Sequence, residues 1–293
     1  MTADVITSRD NKWLKMFRAA LRGTGPTGDD ALAVEGRKLV EDSLRSGLEA
    51  VALLVSESGE RELEYILRAA SESVAGIPRA RMLRTTDKLF ESVAGTETPQ
   101  GVAALFRQPA WQFEDILRGA ASVDGAFIAS APLLVVMAAV QDPGNVGTTV
   151  RSAEAFGATG AVTTRGSADP WSPKAVRASA GSALRLPLLR GIAIPVLIAQ
   201  LRVAEVKIVA ASSRVSAAVD RAADVVADLR DAVAIFIGNE GAGLPPEVEH
   251  AADARISIPI AESVESLNAG IAASIVLYEA ARQRKGTSDE NRG

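Results

Sequence analysis

Three polar clusters, whose residue types could bind a ligand or take part in catalysis, lie in the second half of the 293-residue chain. The first is Asp142-Pro-Gly-Asn145-Val-Gly147-Thr-Thr-Val-Arg151. Asn145 is a candidate N-cap for the helix that follows the Pro-Gly turn, and Arg151 would lie on the second turn of that helix. The two side chains need not share a helix face, but both can line one cleft if Asn145 precedes the first turn. Alone, the cluster is more typical of a capped helix with a surface arginine.

The second cluster is Ile237-Gly238-Asn239-Glu240-Gly241-Ala-Gly243-Leu-Pro-Pro246. Three glycines beside a buried strand let a ligand approach the backbone closely. The carboxylate of Glu240 would repel an anion, which argues against a phosphate cradle. The cluster itself matches neither a G-x-G-x-x-G fingerprint nor a Walker A sequence. The structural alternative, a glycine-rich turn before a proline-started helix, is weaker here than for the first cluster.

The third cluster runs from Ile256 to Ile260 and continues as Glu265-Ser266-Leu267-Asn268. It predicts a short strand that ends at a proline and a helix that starts near Ser266. Ser266 is first a candidate helix cap and second a candidate catalytic residue. The large apolar residues that follow at helical spacing are predicted to form a buried stripe, and they are Leu267, Ile271, Ile275 and Tyr278.

These clusters follow segments that are predicted strands of a parallel sheet. The near-continuous apolar run at 133–140 is typical of a strand buried on both faces. Similar or shorter runs predict strands at 160–163, 206–210, 232–237 and 256–258, with helices at 148–156, 194–203 and 266–284. This alternation predicts a doubly wound α/β sheet. Ligands bind at the carboxyl ends of such strands, here the loops after Val140, Ala210, Ile237 and Ile258.

The first third of the chain predicts a small α/β domain over residues 1–108. Its predicted helices are 11–21, 35–46, 61–73 and 86–93, and its predicted strands are 31–34, 51–55 and 101–106. Residues 109–130 are predicted to be a linker because their periodicity is weak, although 113–118 is a candidate helix. The second domain then spans 131–285, and the polar segment 286–293 is predicted to be a disordered tail.

The composition excludes several kinds of chemistry. The chain has no cysteine, which rules out disulfides, thiolate metal sites and cysteine nucleophiles. With one histidine, His250, neither a histidine-rich metal site nor a Ser–His–Asp arrangement is expected, and no metal is predicted. The N-terminal segment shows no signal-peptide pattern, and the longest apolar stretch, 126–140, is short for a membrane span and contains Pro132. We therefore expect a cytoplasmic protein outside the membrane.

The charges are unevenly distributed along the chain, although the net charge is only -4. Residues 1–25 carry an excess of three positive charges and residues 165–190 an excess of four, whereas 205–265 carry an excess of six negative charges. This asymmetry is consistent with one basic and one acidic face, and equally with ordinary solvated helices.

Taken in order, the three clusters resemble the motifs of the SpoU (TrmH-like) family of SPOUT RNA methyltransferases. The first family motif, an Asn, a Gly two residues on and an Arg four further, is met by Asn145, Gly147 and Arg151. The G-[NS]-E-G-x-G loop is met by residues 238–243, and the I-P and E-S-L-N motifs are met by residues 258–259 and 265–268. The resemblance covers about 133–284.

The N-terminal part resembles the ribosomal-protein-like substrate-binding domain that often accompanies this family. The similarity is carried by Ala33-Val-Glu35-Gly36, by Lys38-Leu-Val-Glu-Asp and by Thr98-Pro-Gln100-Gly101-Val-Ala. It implies that the basic segment from Arg9 to Arg22 binds RNA phosphates. The RNA-binding candidates on the two domains are Arg9, Lys12, Arg18, Lys174 and Arg177.

What the family resemblance implies is a deep trefoil knot, a homodimer and methyl transfer from S-adenosylmethionine to a ribose 2'-hydroxyl, without a metal. The implied catalytic residues are Arg151, Asn145, Glu240, Ser266 and Asn268. The implied cofactor contacts are Gly238, Asn239, Gly243, Ile258 and Leu267. Because a guanidinium rarely loses its proton, we expect Arg151 to anchor a phosphate and the developing alkoxide and not to act as the base.

Three alternatives remain open at this point. The acceptor could be a base nitrogen or a protein, although Asn145, Arg151 and the Glu240 loop favour ribose. The RNA could be transfer RNA, although the N-terminal domain favours ribosomal RNA. The chain could also be an RNA-binding member of the family without activity, although all five candidate polar residues are present.

Overall fold

The computed structural model describes residues 4–23, 31–71, 80–118, 131–212, 227–261 and 263–290. The chain divides into two compact units, Met1–Ala110 and Trp111–Gly293. Most of the predicted linker, residues 119–130, and the last three residues of the predicted tail lie outside the described part of the chain.

The described residues of the first unit form a five-stranded sheet with four helices. Its strands are β1 (Asp4–Ile6), β2 (Ala31–Glu35), β3 (Ala50–Ser56), β4 (Arg81–Thr85) and β5 (Val102–Arg107), in the order β1-β4-β3-β5-β2. Strands β1, β4 and β3 are parallel, and β5 is antiparallel to β3 and β2. The helices are α1 (Lys12–Arg22), α2 (Arg37–Arg45), α3 (Glu60–Ser71) and α4 (Asp87–Glu91).

The predicted helices and strands of this unit are present, with ends displaced by one or two residues among those described. Two predicted helices extended too far toward the N-terminus, because Asn11 and Thr86 lie outside α1 and α4 as caps and accept hydrogen bonds from Trp13 N and Leu89 N. Strands β1 and β4 were not predicted. In β4 exposed arginines flank a buried Met-Leu pair, so that the apolar run is too short to stand out.

The second unit contains a six-stranded parallel sheet, which confirms the predicted doubly wound α/β class. Its strands are β6 (Leu133–Met137), β7 (Gly160–Thr164), β8 (Leu188–Ile192), β9 (Lys207–Ser212), β10 (Val233–Ile237) and β11 (Ala254–Ser257), in the order β11-β9-β10-β6-β7-β8. The helices are α5 (Phe113–Arg118), α6 (Pro143–Ala155), α7 (Pro173–Ala178), α8 (Ile194–Val203), α9 (Pro246–Ala251) and α10 (Ala269–Glu290). The trefoil knot stays a prediction.

The core of this unit lies on both faces of the sheet. Strand β6 is fully buried, and its successive side chains alternate between two apolar clusters. Leu133, Val135 and Met137 pack with α6 and α10, whereas Leu134 and Val136 pack with α5 and α8. This two-sided burial is why the sequence shows a continuous apolar run.

Several sequence-based boundaries were wrong in this unit. Helix α6 begins five residues before the predicted start, because Asp142 caps it and Pro143 is favoured in a first turn. Helix α5 lies within the predicted linker but packs on the sheet, where Ile116 lies against Gly160 of β7. Strand β8 and helix α7 were not predicted. Arg190 and Gly191 interrupt the apolar pattern of β8, an edge strand.

Helix α10 differs most from its prediction. It begins at Ala269 and not near Ser266, and it continues to Glu290, through most of the predicted disordered tail. A helix that is already formed gains one hydrogen bond for each residue added, so a polar stretch without proline can extend it. The predicted buried stripe is wrong as well. Ile271, Ile275 and Tyr278 are 51%, 41% and 55% exposed, and the buried face consists of Ala269, Ala273, Val276, Leu277 and Ala280.

Arg284 joins α10 to the amino ends of two central strands. Its guanidinium donates to the carbonyl oxygens of Leu229, at 2.8 Å, and Pro132, at 3.1 Å, and also to those of Ala131 and Asp231. These carbonyls precede β10 and β6. Four contacts from one side chain should hold the C-terminal helix onto the sheet.

Arg284→Met should therefore lower the free energy of unfolding by about 2–3 kcal/mol, because hydrogen bonds to a charged group are lost and carbonyls remain partly buried. Urea titration of each variant measures this change. Arg282→Met is the matched control, since Arg282 lies on the same helix and bonds only the nearby Glu279 among the described residues. Equal stability of the two variants would contradict the structural role of Arg284.

Candidate active site

The three polar clusters meet at the carboxyl edge of the parallel sheet. Strands β6 and β10 are neighbours at its centre, and the chain leaves them in loops at the same edge. This is the switch point of the sheet, where ligands of α/β proteins bind. A cavity of about 520 Å³ lies there. Its walls come from the ends of β9, β10 and β11, from the loop 238–244, from residues 258, 260 and 265–267, from Glu249 of α9, and from α10 residues Ala269, Ala272 and Val276.

Asn239 organises the loop after β10. Its backbone pairs with Gly243 in both directions, at 3.0 and 2.9 Å. Its side-chain oxygen accepts from Gly241 N and Ala242 N, and its Nδ2 donates to the carbonyl of Ala139 at 3.0 Å. Because these bonds use both ends of the amide, Asn239 shapes the cavity wall through the loop it holds.

Gly238 lies where the loop folds back on itself. A Cβ placed on Gly238 would lie 2.4 Å from the carbonyl carbon of Gly243 and 2.7 Å from Leu244 N. These are backbone atoms, which cannot rotate away. Gly243 itself has φ +73°, a left-handed conformation that favours glycine. The glycines predicted to allow a close ligand approach are thus first required by the turn itself.

One chain of hydrogen bonds connects the three clusters. Asn145 Nδ2 donates to Glu240 Oε1, and Asn268 Nδ2 donates to Asn145 Oδ1 at 2.9 Å. Asn268 is in turn the cap of α10, since its Oδ1 accepts from Gly270 N at 3.0 Å and Ile271 N at 3.2 Å. Three predicted catalytic residues, far apart in sequence, are therefore brought together, and the Glu240 carboxylate is held in a fixed direction.

Asp142 has a role that sequence reasoning assigned to Asn145. Its Oδ1 caps α6 by accepting from Gly144 N at 2.6 Å and Asn145 N at 3.0 Å, and its Oδ2 accepts from Lys174 Nζ at 2.8 Å. The Lys174 hydrogen bond, with that from Asn145 N, holds the pKa of Asp142 below its usual range. Lys174, a predicted RNA-binding residue, is thus engaged with the cap of the helix that carries Asn145.

Arg151 is placed differently from the other predicted catalytic residues. The expectation that Asn145 precedes the first turn is wrong, because both residues are inside α6. Six residues along a helix separate side chains by about 9 Å along the axis and about 240° around it. Arg151 is exposed, does not line the cavity, and makes no hydrogen bond or ion pair to any residue that the structure describes.

The remaining members of the motifs have separate positions. Ser266 and Leu267 line the cavity beside Glu265, and Ile258 lines it from the residues directly after β11. The Ser266 hydroxyl caps no helix, contrary to the first interpretation of this residue. Gly147 faces away from the cavity, because a Cβ there would lie 2.4 Å from the carbonyl oxygen of Ala175 in α7. Its identity is explained by helix packing.

Some of the predicted RNA-binding side chains of the first unit already contact other described residues. Arg9 is exposed, and Lys12 lies 5.7 Å over the ring of Trp13. Arg18 donates to the carbonyl of Ser92 at 3.3 Å, which fastens α1 to the segment after α4. That half-buried arginine has a structural contact that its sequence position does not reveal. In the second unit, Arg177 is exposed on α7.

The cavity has an acidic lining. Glu240, Glu249 and Glu265 contribute carboxylates, and no lysine or arginine is among the described residues that line it. Glu249 is paired with Arg255 at 3.3 Å. A phosphorylated ligand would meet repulsion here, whereas a ligand with net positive charge would be attracted. The lining thus fits a cationic ligand that also needs apolar contacts from Ile237, Ile258 and Leu267.

Some residues that shape the site had no signal in the sequence. Ala139, after β6, has φ +57°, a conformation that is uncommon for a residue with a side chain. It is held there because its N–H donates to Thr164 Oγ1 at 3.1 Å and its carbonyl accepts from Asn239. Ala272 and Val276 line the cavity only because α10 starts three residues later than expected.

The described ranges contain no group of three or more histidine, cysteine or acidic residues arranged to hold a metal ion. Likewise, none of the helices in those ranges combines the length and hydropathy needed to cross a membrane.

Comparisons with known proteins find a match for each of the two units. Residues 132–278 match the SpoU rRNA Methylase family, and residues 28–104 match the MRM3-like substrate binding domain. A protein of Mycobacterium avium named as an uncharacterized tRNA/rRNA methyltransferase is 33% identical over 268 residues, covering 88% of this chain and 79% of that protein.

Solved structures resemble the chain over nearly its whole length. An AdoMet-bound rRNA methyltransferase from Sinorhizobium meliloti has a TM-score of 0.77 at 30% identity, covering 96% of this chain and 98% of that one. The SpoU methyltransferase AviRb from Streptomyces viridochromogenes, in complex with AdoMet, has a TM-score of 0.76 at 27% identity and covers 94% and 98%. The match over residues 132–278, together with these relatives, shows that the chain belongs to the SpoU family of RNA methyltransferases.

Proposed function

We propose that the chain transfers a methyl group from S-adenosylmethionine to a ribose 2'-hydroxyl of ribosomal RNA. The observation that carries this proposal is the bond chain Asn268–Asn145–Glu240 at the edge of an acid-lined cavity. Two similar solved structures, from Sinorhizobium meliloti and Streptomyces viridochromogenes, hold AdoMet, and the first of these is named an rRNA methyltransferase.

The cavity fits this cofactor in size and charge. About 520 Å³ lies within the usual range of small-molecule sites, roughly 300–1,000 Å³. S-adenosylmethionine carries a sulfonium, an ammonium and a carboxylate, so its net charge is positive and suits Glu240 and Glu265. Gly238, Gly243 and Ile258 would contact it mainly through backbone groups, and Leu267 through its side chain, with Asn239 supporting the loop.

When bound, the cofactor supplies an activated methyl group, so that the protein has to orient the acceptor hydroxyl and manage charge. We assign Asn145, Glu240 and Asn268 to positioning at the cavity mouth, because they form one rigid unit. Ser266, exposed at the same mouth, is assigned to acceptor contact. Arg151 and the exposed Arg177 would contact RNA phosphates, and Arg151, which does not line the cavity of its own chain, would stabilise the developing alkoxide at the cavity of a second chain.

We also propose a homodimer. The exposed apolar residues of α10, Ile271, Ile275 and Tyr278, border the contact between α10 and α6, where Ser152 and Ser274 hydrogen-bond at 2.6 Å. Covering this face would bury apolar surface and bring a second chain near Arg151 of α6. A mass of one chain in sedimentation equilibrium at micromolar concentration would contradict the dimer. The cytoplasmic location expected from the sequence stays a prediction.

The reaction is tested with purified protein, S-adenosylmethionine carrying a labelled methyl group, and either ribosomal or transfer RNA that lacks modification. We expect label in ribosomal RNA, at one nucleotide whose 3' phosphodiester resists alkali, because a methylated 2'-oxygen cannot attack the phosphate. Label in transfer RNA alone would show that transfer RNA, and not ribosomal RNA, is the substrate. An alkali-sensitive product would indicate a base as the acceptor, and lack of incorporation into either RNA would favour an inactive, RNA-binding protein.

A further inference from the structure

A second cavity lies in the first unit, at a place that the cofactor site does not explain. It measures about 270 Å³ and is lined by Glu35, Gly36, Lys38, Leu39, Thr96, Thr98 and Gln100. These residues come from two motifs noted in the sequence, one spanning the end of β2 and the start of α2, the other preceding β5. The structure therefore brings the two motifs together around one opening.

The two walls of this cavity are fixed by hydrogen bonds. The Glu35 carboxylate accepts from Gly95 N at 2.7 Å and from the Thr96 hydroxyl. On the other side, Gln100 Oε1 accepts from Arg37 N at 2.9 Å. A side chain at position 36 would be strained, since Gly36 has φ +90° and its Cβ would lie 3.1 Å from Gln100 Oε1. The opening is thus preformed and not a gap between mobile side chains.

Polar groups remain unused inside it. No described residue accepts a hydrogen bond from Gln100 Nε2, and none bonds the Thr98 hydroxyl. Each carboxylate oxygen of Glu35 has accepted one bond and can accept another. The half-buried Leu39 provides an apolar surface between these donors and acceptors. A flat heterocycle with both donors and acceptors on its edge matches this arrangement.

One cation lines the opening, and a second lies on the residue that precedes it in the chain. Lys38, whose side chain is 76% exposed, lines the opening. The guanidinium of Arg37 lies 5.5 Å over Tyr65, which is 51% exposed. In contrast, α1, which the sequence predicted to bind RNA, has Arg18 and Arg22 committed to the carbonyls of Ser92 and Ala94.

We propose that this cavity receives one unpaired nucleobase of the RNA, with Gln100 contacting the base edge and Lys38 the adjacent phosphate. Sequence-dependent recognition of RNA mostly uses unstacked bases in single strands and loops, with cations on the backbone. A volume just below that of drug-sized sites suits one base. This inference rests on the proposed function only in that the ligand is RNA.

The test measures fluorescence anisotropy of the full chain with labelled 12-nucleotide A, C, G and U homopolymers and a 12-base-pair RNA duplex. Lys38→Gln is compared with Lys207→Gln, because both lysines are exposed and paired with an aspartate at 2.9 Å. We expect Lys38→Gln to weaken single-strand binding about threefold to tenfold, as for one lost phosphate contact, and Lys207→Gln to change it by less than about twofold.

Gln100→Glu separates base contact from loop support, because it keeps the oxygen that accepts from Arg37 N but removes the Nε2 donor. Wild-type protein should prefer one homopolymer by about tenfold, and Gln100→Glu should remove that preference. If Gln100→Glu weakens binding to every homopolymer by the same factor, because of its added charge alone, the ratio of affinities between homopolymers stays as in the wild type. That result would overturn the assignment. So would equal losses for the two lysine variants, preferential duplex binding, or lack of binding to every probe by the wild type.

Cofactor affinity, measured by calorimetry on the same variants, keeps this inference distinct from the proposed function. It should stay at the wild-type value, because Lys38 and Gln100 lie in the other unit from the cofactor cavity. If cofactor binding and methyl transfer persist while the probes show none of the expected differences, only the base-binding cavity is wrong.

Discussion

Arg151→Ala is expected to slow methyl transfer about 100- to 1,000-fold while changing the affinity for S-adenosylmethionine by less than about twofold. The side chain is exposed, does not line the cavity and has no hydrogen-bond or ion-pair partner within the described ranges. Its removal should therefore leave the fold and the cofactor cavity intact. What is lost is a permanent positive charge for the phosphate and for the alkoxide that forms as the methyl group is transferred.

Single-turnover rates at saturating RNA and calorimetric titration of the cofactor distinguish these effects. Arg177→Ala is the matched control, since Arg177 is also an exposed arginine near a helix end of the same unit. Loss of one phosphate contact should raise the KM for RNA in that variant without a large change in kcat. Arg151→Ala that binds the cofactor poorly, or that retains the wild-type rate, would contradict the assignment.

The position of Arg151 relative to Asn145 could not be predicted from the sequence. The motif spacing placed Asn145 and Arg151 in one cleft only if Asn145 preceded the first turn of the helix. The actual cap is Asp142, and the helix includes both residues. Asn145 therefore bonds Glu240, whereas Arg151 points elsewhere on α6. A spacing in sequence cannot decide between these arrangements, since one residue of shift in a helix start rotates every later side chain by about 100°.

The positions of the central strands and the class of fold were predictable, because β6 and β10 are buried on both faces and leave continuous apolar runs. Helix starts were less predictable, since several candidate caps stand in a row near Asp142 and again near Ser266. The exposed face of α10 was beyond prediction. Helical spacing marks both an apolar stripe in the core and one kept on the surface, and only the packing of Ala273, Val276 and Leu277 distinguishes them.

Some residues that the sequence grouped together are also joined in the structure, by hydrogen bonds between separate segments. Asn145, Glu240 and Asn268 were grouped by family resemblance, and the structure joins their side chains directly. Lys174 has a contact that the sequence did not reveal, and its part in RNA binding stays a prediction. It was grouped with RNA-binding residues by charge, but Asp142 holds its ammonium 2.8 Å away at the cap of α6. Net local charge counts a lysine without showing which partner it already has.

Gly238→Ala is expected to weaken S-adenosylmethionine binding about 10- to 100-fold and to lower the stability of the cofactor-free protein by about 1–3 kcal/mol. The new Cβ would lie 2.4 Å from the backbone of Gly243, so the turn must open. Opening it breaks the paired bonds between Asn239 and Gly243 and, with them, the wall of the cavity. Neither side can relax by a rotamer change, because every atom close to the added methyl belongs to the backbone.

Gly241→Ala is the control in the same loop, since a Cβ there would meet only Asn239 Oδ1, at an ordinary contact of 3.6 Å. Its unfolding free energy without cofactor should stay within about 0.5 kcal/mol of the wild-type value. Urea unfolding gives the stability of both variants, and calorimetry gives the cofactor affinity of Gly238→Ala. If Gly238→Ala matches the wild type in both measurements, the loop after β10 is free to adjust. The cavity wall would then depend on the cofactor and not on the turn that Asn239 holds.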